Sequence, residues 1–528
     1  MSLRYAVLFV TSMTLLAADV AQEGVRWWSH IQVLADDKME GRNTGSEGHR
    51  KAAQYVSTEF ERSGLKPAGT LGYIQPVEFN VRKLDEPASS LAMVRNGKVA
   101  PLVLGDDASF NLRGDLAESV DAPAVFVGYG LVVPEKGIDD LAGMDLHGKI
   151  AVYLNGGPQS IPSAIKAHYS SAAERWRALR DAGAIGLAAI PNPRSMDIPW
   201  ARARLARLNP TMSLADPAAS ETRGEEFAIT VNPAQAEKMF AGTGHTFAEI
   251  LKLADADQPL PHFPLNLNFR ARVKMERSQV VSQNVAGIRP GSDPALKDEY
   301  VIFSAHLDHL GVGQPINGDR IYNGAMDDAS GVASLIEIAT LMKERDLHLK
   351  RSVLFLAVTG EEKGEQGSLY FASHPTVPKK SIVADINMDM YLPLFPLKYL
   401  EVQGLAESTL GDDIRTVCAK AGVIVQADKE PDKNRFIRSD QYSFIKQGVP
   451  ALAFKFGWTP GSPQEKIFQD WIKYRYHAPS DDLNQPVDKT AAAEFNRILL
   501  ALGERVANAK DRPHWHQDSF FRRFAQTE

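Results

Sequence analysis

Four apolar runs constrain this chain more than any other feature: Tyr300–Ser304, Ser352–Val358, Ser381–Asn387 and Pro450–Phe454. Each is short and nearly uncharged, and helical or turn-rich stretches separate them, including a periodic apolar segment from Ser330 to Glu344 and another around Asp412. Strands without a polar face must be covered on both sides. The pattern therefore predicts an α/β fold, with a mixed, largely parallel central sheet and helices on both faces. In such sheets reactive groups gather beyond the carboxyl ends of the strands.

Polar residues stand where that rule puts them. His306-Leu-Asp308-His309 follows the first run, Thr359-Gly-Glu361-Glu362 the second, and Met388-Asp389 the third. Two more blocks complete the set: Asn323-Gly-Ala-Met-Asp327-Asp328-Ala-Ser330-Gly and Tyr476-His477-Ala-Pro-Ser480. Alone, each block is unremarkable, since Asp327-Asp328 suits a helix cap and paired glutamates occur on many solvated helices. Together they contain what amide hydrolysis needs. Two divalent ions roughly 3.5–4 Å apart acidify a water and polarise a carbonyl. Such a pair takes imidazole and carboxylate ligands, one carboxylate shared between the ions, and a separate acid–base group.

The rest of the chain adds organisation rather than chemistry. Arg4, the apolar stretch Tyr5–Ala18 and small residues through Ala21 have the layout of a signal peptide over 1–21, cut near Ala18 or Ala21, so an exported protein is expected. The apolar run is shorter than the ~20 residues that a membrane span needs. With Cys418 the only cysteine, an internal disulfide is excluded. The net charge of −6 and pI near 6.2 give no reason to expect a nucleic acid partner. Turn-forming residues crowd Asp36–Gly45, and Ser46 opens a helix that Gly64 ends. From 84 to 274 the texture changes to glycine-broken strands, and the strand–helix–strand pattern over 148–190 predicts a separate α/β unit. Its histidines, His147, His168, His245 and His262, are isolated and read as structural or solvent-facing.

The five blocks, in this order, resemble the co-catalytic zinc exopeptidases, which include secreted bacterial aminopeptidases and relatives of glutamate carboxypeptidase and the transferrin receptor. The resemblance covers roughly 27–64 and 283–510, and the intervening region is similar to the protease-associated domain that many members carry as an insertion. It implies a discontinuous catalytic domain over 22–83 and 275–510, an inserted β-rich domain over 84–274 and a tail over 511–528. It also implies two Zn²⁺ ions and a peptide substrate. Carried onto this sequence, His306 and Asp389 hold one ion, Glu362 and His477 the other, and Asp327 bridges them. Glu361 becomes the general base, and Tyr476 a hydroxyl donor to the oxyanion. Asp308 lies two residues from His306, close enough to accept its other ring N–H and fix the tautomer. The Arg438-Ser-Asp440-Gln block resembles a substrate-side loop and makes Asp440 a candidate substrate contact. His309 has no metal role in the family pattern and is expected to line the entrance. An aminopeptidase is the leading expectation, with a carboxypeptidase or dipeptidase on the same scaffold as the rival. A receptor-like binding protein would require lost ligands, and single-zinc glutaminyl cyclisation an incomplete set.

Overall fold

The computed structural model describes residues 19–525; the expected signal segment falls mostly outside them, in 1–18. The chain forms two compact units, one of 1–77, 281–429 and 438–528, the other of 78–280 and 430–437. The breaks fall six residues from the expected boundaries at 83/84 and 274/275. The short segment 430–437 joins the second unit, which no periodicity in the sequence signals. Ion pairs explain it locally: Lys433 Nζ lies 2.9 Å, and Arg435 Nη2 3.6 Å, from Asp197 Oδ1.

The sheet of the first unit includes seven strands that carry or flank the polar blocks: β1 (Met275–Arg289), β2 (Tyr300–His306), β3 (Ser352–Val358), β4 (Ile382–Asn387), β5 (Tyr399–Gln403), β6 (Ile424–Gln426) and β7 (Ala451–Phe456). They lie in the order β1-β3-β2-β4-β7-β5-β6. The central pairs β3–β2, β2–β4 and β4–β7 are parallel, while β1 joins β3, and β5 joins β7, antiparallel. This is the mixed, largely parallel sheet expected. β2, β3 and β4 are buried almost throughout, and that is why they carry no alternating polar face.

Helices cover the sheet. A helix over 19–34 buries Trp27, whose indole N–H donates to the Ser330 carbonyl. α1 (Glu47–Arg62) is capped by the Ser46 hydroxyl, which accepts from the His49 N–H. α2 (Ser330–Glu344) is buried on nearly every side, as a helix enclosed by other elements must be. Its one buried acid, Glu337, is paired with Arg26 at 2.6 Å. α3 (Lys489–Asn508) packs closely enough that a methyl on Gly503 would stand 2.5 Å from the Phe303 ring of β2. The expected tail is part of this unit: the Trp515 indole donates to the Gly448 carbonyl, and Phe521 is buried. Cys418 is buried, as a core residue would be. No helix among the described residues is long and apolar enough to cross a membrane.

The second unit has an eight-stranded sheet ordered Lys98–Leu102, Ser90–Arg95, His262–Arg272, Ser119–Val127, Ile150–Leu154, Gly186–Ile190, Phe227–Val231 and Ala108–Phe110. Helix Ala172–Asp181 connects two parallel strands of that sheet, as the pattern over 148–190 predicts. Trp176, Phe227 and Phe269 lie in its own apolar core.

Candidate metal centre

Strand register brings the polar blocks level. In the parallel pairs, His306 stands opposite Val358 and Ser304 opposite Asn387. Three residues past Val358 comes Glu361, and two past Asn387 comes Asp389, so β2, β3 and β4 deliver their acids and imidazole to one end of the sheet. The fourth block arrives from the turn before α2. Asp328 Oδ1 accepts from the Gly331 N–H, which caps that turn, and the Asp327–Asp328 peptide is cis. Gly331 has to be glycine here, because a Cβ would lie 2.4 Å from the Asp328 carboxylate.

Asp327 is the shared group. Its Oδ1 lies 3.1 Å from His306 Nε2, and its Oδ2 lies 3.3 Å from His477 Nε2. On one side, Asp389 Oδ1 approaches His306 Nε2 at 3.6 Å; on the other, Glu362 Oε2 approaches His477 Nε2 at 3.2 Å. The structure thus brings together all five residues expected to hold metal. His306 Nε2, Asp389 Oδ1, Asp327 Oδ2 and Glu362 Oε1 are buried and have no hydrogen-bond partner. Buried polar atoms are ordinarily paired, and unpaired buried carboxylates are costly. Converging donors of this chemistry fit a pair of divalent cations.

The electrostatics agree. Burial pushes the His306 imidazole down, yet the Glu361 charge and the nearby Asp327 and Asp389 carboxylates lift it well above its usual value. His477 behaves likewise: burial opposes, but Glu362 and Asp327 raise it to about 10. Glu361 is pushed well above the carboxylate range, first by burial and then by the charges of Asp389, Glu362 and Asp440, against the opposing pull of His306. The pocket is therefore strongly negative and favours positive charge.

Three expected roles change. The Asp308 carboxylate does not orient His306, because its Oδ2 accepts from the Thr44 hydroxyl at 2.8 Å and its Oδ1 from the Glu361 N–H at 3.1 Å. His306 Nδ1 instead lies 3.0 Å from the Asp308 backbone carbonyl, which does the orienting. Asp440 is fully buried rather than open to a substrate. Burial above all raises its carboxyl, to about 7. His309 does not line an entrance: it is wholly buried against Glu362, with Nδ1 2.7 Å from Oε1. Tyr476 stacks beside His477 with ring centroids 4.0 Å apart, and is half-buried.

Two residues with large roles carried no legible signal. Asp481 accepts from the N–H groups of Met326 and Asp327, holding the bridging acid by its main chain. Arg42, in the turn-rich stretch, is completely buried, and its guanidinium donates to the carbonyls of Leu34, Leu307, Asn323 and Gly324 at 2.6–2.9 Å. Burial lowers it only to about 10, so it stays charged at neutral pH. It ties the His306 loop to the Asp327 loop.

Histidines and carboxylates paired around a shared aspartate, at the carboxyl edge of a largely parallel sheet, can hold divalent metal and so activate water for hydrolysis. Residues 284–503 match Peptidase family M28, so this part of the chain carries an M28 peptidase domain. Similar proteins include a probable zinc metalloprotease of Pyrenophora tritici-repentis, 33% identical over 106 residues, covering 20% of this chain and 23% of that protein. Carboxypeptidase Q of Xenopus laevis is 33% identical over 99 residues, covering 18% of this chain and 19% of its own. The chain thus spans about a fifth of the length of these curated relatives. In fold it is similar to the aminopeptidase from Aneurinibacillus sp. strain AM-1, with a TM-score of 0.56 at 19% identity over 94% of this chain and 97% of that one.

Replacing Arg42 by Met would remove a donor from four buried carbonyls; Gly324 keeps the Ala329 N–H, and the other three are left unmet at about 1–3 kcal/mol each. The expected outcome is a lowered unfolding midpoint and faster loss of bound metal to a chelator, followed by calorimetry and metal analysis. Metal retention equal to that of the parent would show that the two loops are held by other means.

Proposed function

We propose that this protein is an exported di-zinc exopeptidase that releases residues from the N-termini of peptides. The observation that carries the reading is the set of unpartnered donors around Asp327, with Glu361 beside them. Bound there, two zinc ions would acidify a water and polarise the scissile carbonyl. Everything else is done by the chain. Asp327, His306, Asp389, Glu362 and His477 set where the ions lie. The Glu361 carboxylate reaches within 4.0 Å of His306 Nε2 and accepts no hydrogen bond among the described residues, so it is free to take a proton from the attacking water. Its raised proton affinity suits a base that must return that proton to the leaving amine. The Tyr476 hydroxyl, whose ring packs tilted against His477, would donate to the developing oxyanion.

The leading choice of aminopeptidase is supported by likeness of fold to the Aneurinibacillus aminopeptidase. The rival, a carboxypeptidase or dipeptidase, draws support from the higher local identity to carboxypeptidase Q. The unit over 78–280 is read as a protease-associated insertion because it interrupts the catalytic unit between α1 and β2.

Replacing Glu361 by Gln keeps size and burial but removes the base. kcat is expected to fall about 10²–10⁴-fold while zinc content stays at the parent level; an active Gln variant would remove Glu361 from the role. Rates on aminoacyl anilides should exceed those on N-blocked dipeptides, and the reverse preference would move the assignment to carboxypeptidase. Export predicts that protein recovered outside the cytoplasm starts just after Ala18 or Ala21, so N-terminal sequencing of that fraction that finds Met1 retained would count against it.

A further inference from the structure

The two metal positions are not equivalent, and the difference lies in His309. We propose that His309 is a fourth protein donor to the ion held by Asp327, Glu362 and His477, leaving the ion on the His306 side with three. This rests on the two-metal reading above.

The imidazole of His309 is wholly buried, and neither ring nitrogen has a hydrogen-bond partner. Nδ1 faces Glu362 Oε1 at 2.7 Å and Asp327 Oδ2 at 3.8 Å, and both of those oxygens are also unpartnered. The short contact to Glu362 is thus not aligned as a hydrogen bond. His477 Nε2 closes the group, 3.2 Å from Glu362 Oε2 and 3.3 Å from Asp327 Oδ2. Nitrogen and carboxylate donors bound to zinc at about 2.0–2.2 Å stand roughly 3–4 Å from one another. The separations here straddle that range, as four donors around one cation would.

The surroundings make room for the ring. Gly324 adopts a left-handed φ of +63°, and a Cβ there would lie 2.5 Å from His309 Cγ. The main chain of His309 is fixed as well, since its N–H donates to the Arg42 carbonyl at 3.3 Å. The His309 and His477 rings meet edge-on, with centroids 5.9 Å apart at 67°, so each can turn a nitrogen to the same carboxylates. On the other side of Asp327, the donors are His306, Asp389 and Asp327 itself. Asp328 lies close to that group but its oxygens already accept from the N–H groups of Gly331, Met390 and His306. Four protein donors close a zinc site, whereas three leave a position for water or substrate. The Glu362 site is then the retained one, and the His306 site the exchangeable one that meets the substrate carbonyl.

The test uses full-length apoprotein titrated with Co²⁺, whose visible d–d bands report coordination, together with Zn²⁺ competition for affinity. The parent should take up two equivalents in distinguishable steps, the tighter belonging to the Glu362 site. His309→Ala should weaken that step by more than about 100-fold, beyond the 10–100-fold typical of losing a partner that only supports a ligand. It should also shift the corresponding d–d band, as His477→Ala should, while Asp389→Asn should perturb the other step. His309→Gln, closer in volume, guards against a folding defect and should give the same result. A tight step in both variants with parental affinity overturns the proposal. So does a weakened step with an unchanged d–d band, which would make His309 a support for Glu362. A parent that binds no metal would overturn the two-metal reading itself, before His309 is at issue.

Discussion

Everything at the carboxyl edge of the sheet depends on how buried negative charge is divided. Asp308, Asp328 and Asp481 take backbone N–H groups, and most of those groups belong to a functional residue or its neighbour. Asp308 accepts from Glu361, Asp328 from His306 and from Met390 beside Asp389, and Asp481 from Asp327. These acids are satisfied by the protein and fix the main chain of the others. Asp327, Glu362 and Asp389 keep oxygens that accept no hydrogen bond among the described residues. One set of carboxylates is a frame, and the other a demand for cations that the fold alone does not answer. A buried, half-satisfied acid cluster would otherwise be a heavy burden on stability.

Much of the frame was legible from the sequence because apolar strands announce both themselves and their ends. β2, β3 and β4 appear as nearly uncharged runs, and the residues just past them are those that converge. Neighbouring acids were harder to tell apart. Asp327 and Asp328 are adjacent and chemically alike, and it is the backbone turn before α2 that faces one toward the imidazoles and the other toward N–H donors. Only the resemblance to a family separated them in advance. Asp308 shows the limit from the other direction: two residues from His306 is close enough for either its carboxylate or its carbonyl to reach the ring, and spacing does not choose.

Arg42, His309 and Asp481 do not announce their burial in the sequence, for a common reason. Each is polar, lies in a stretch rich in turn formers, and is buried only because distant segments close over it. Burial of that kind is a tertiary property with no periodic signature. The segment 430–437 is a similar case, since its place in the second unit is set by ion pairs with partners far away in sequence.

The position of Arg42 bears on the order in which the molecule is made. Its guanidinium meets the Leu307 carbonyl across 265 residues and the Asn323 carbonyl across 281, with residues 78–280 of the second unit in between. Contacts of such long span form late, because the closure entropy of the intervening chain precedes any gain from them. During synthesis the first-made strut of the centre must therefore wait, exposed, through the translation of an entire second folding unit, and then for His477 near the far end of the chain. A metal held at this centre would therefore find its site complete only late in folding, in a nearly finished molecule rather than a nascent one.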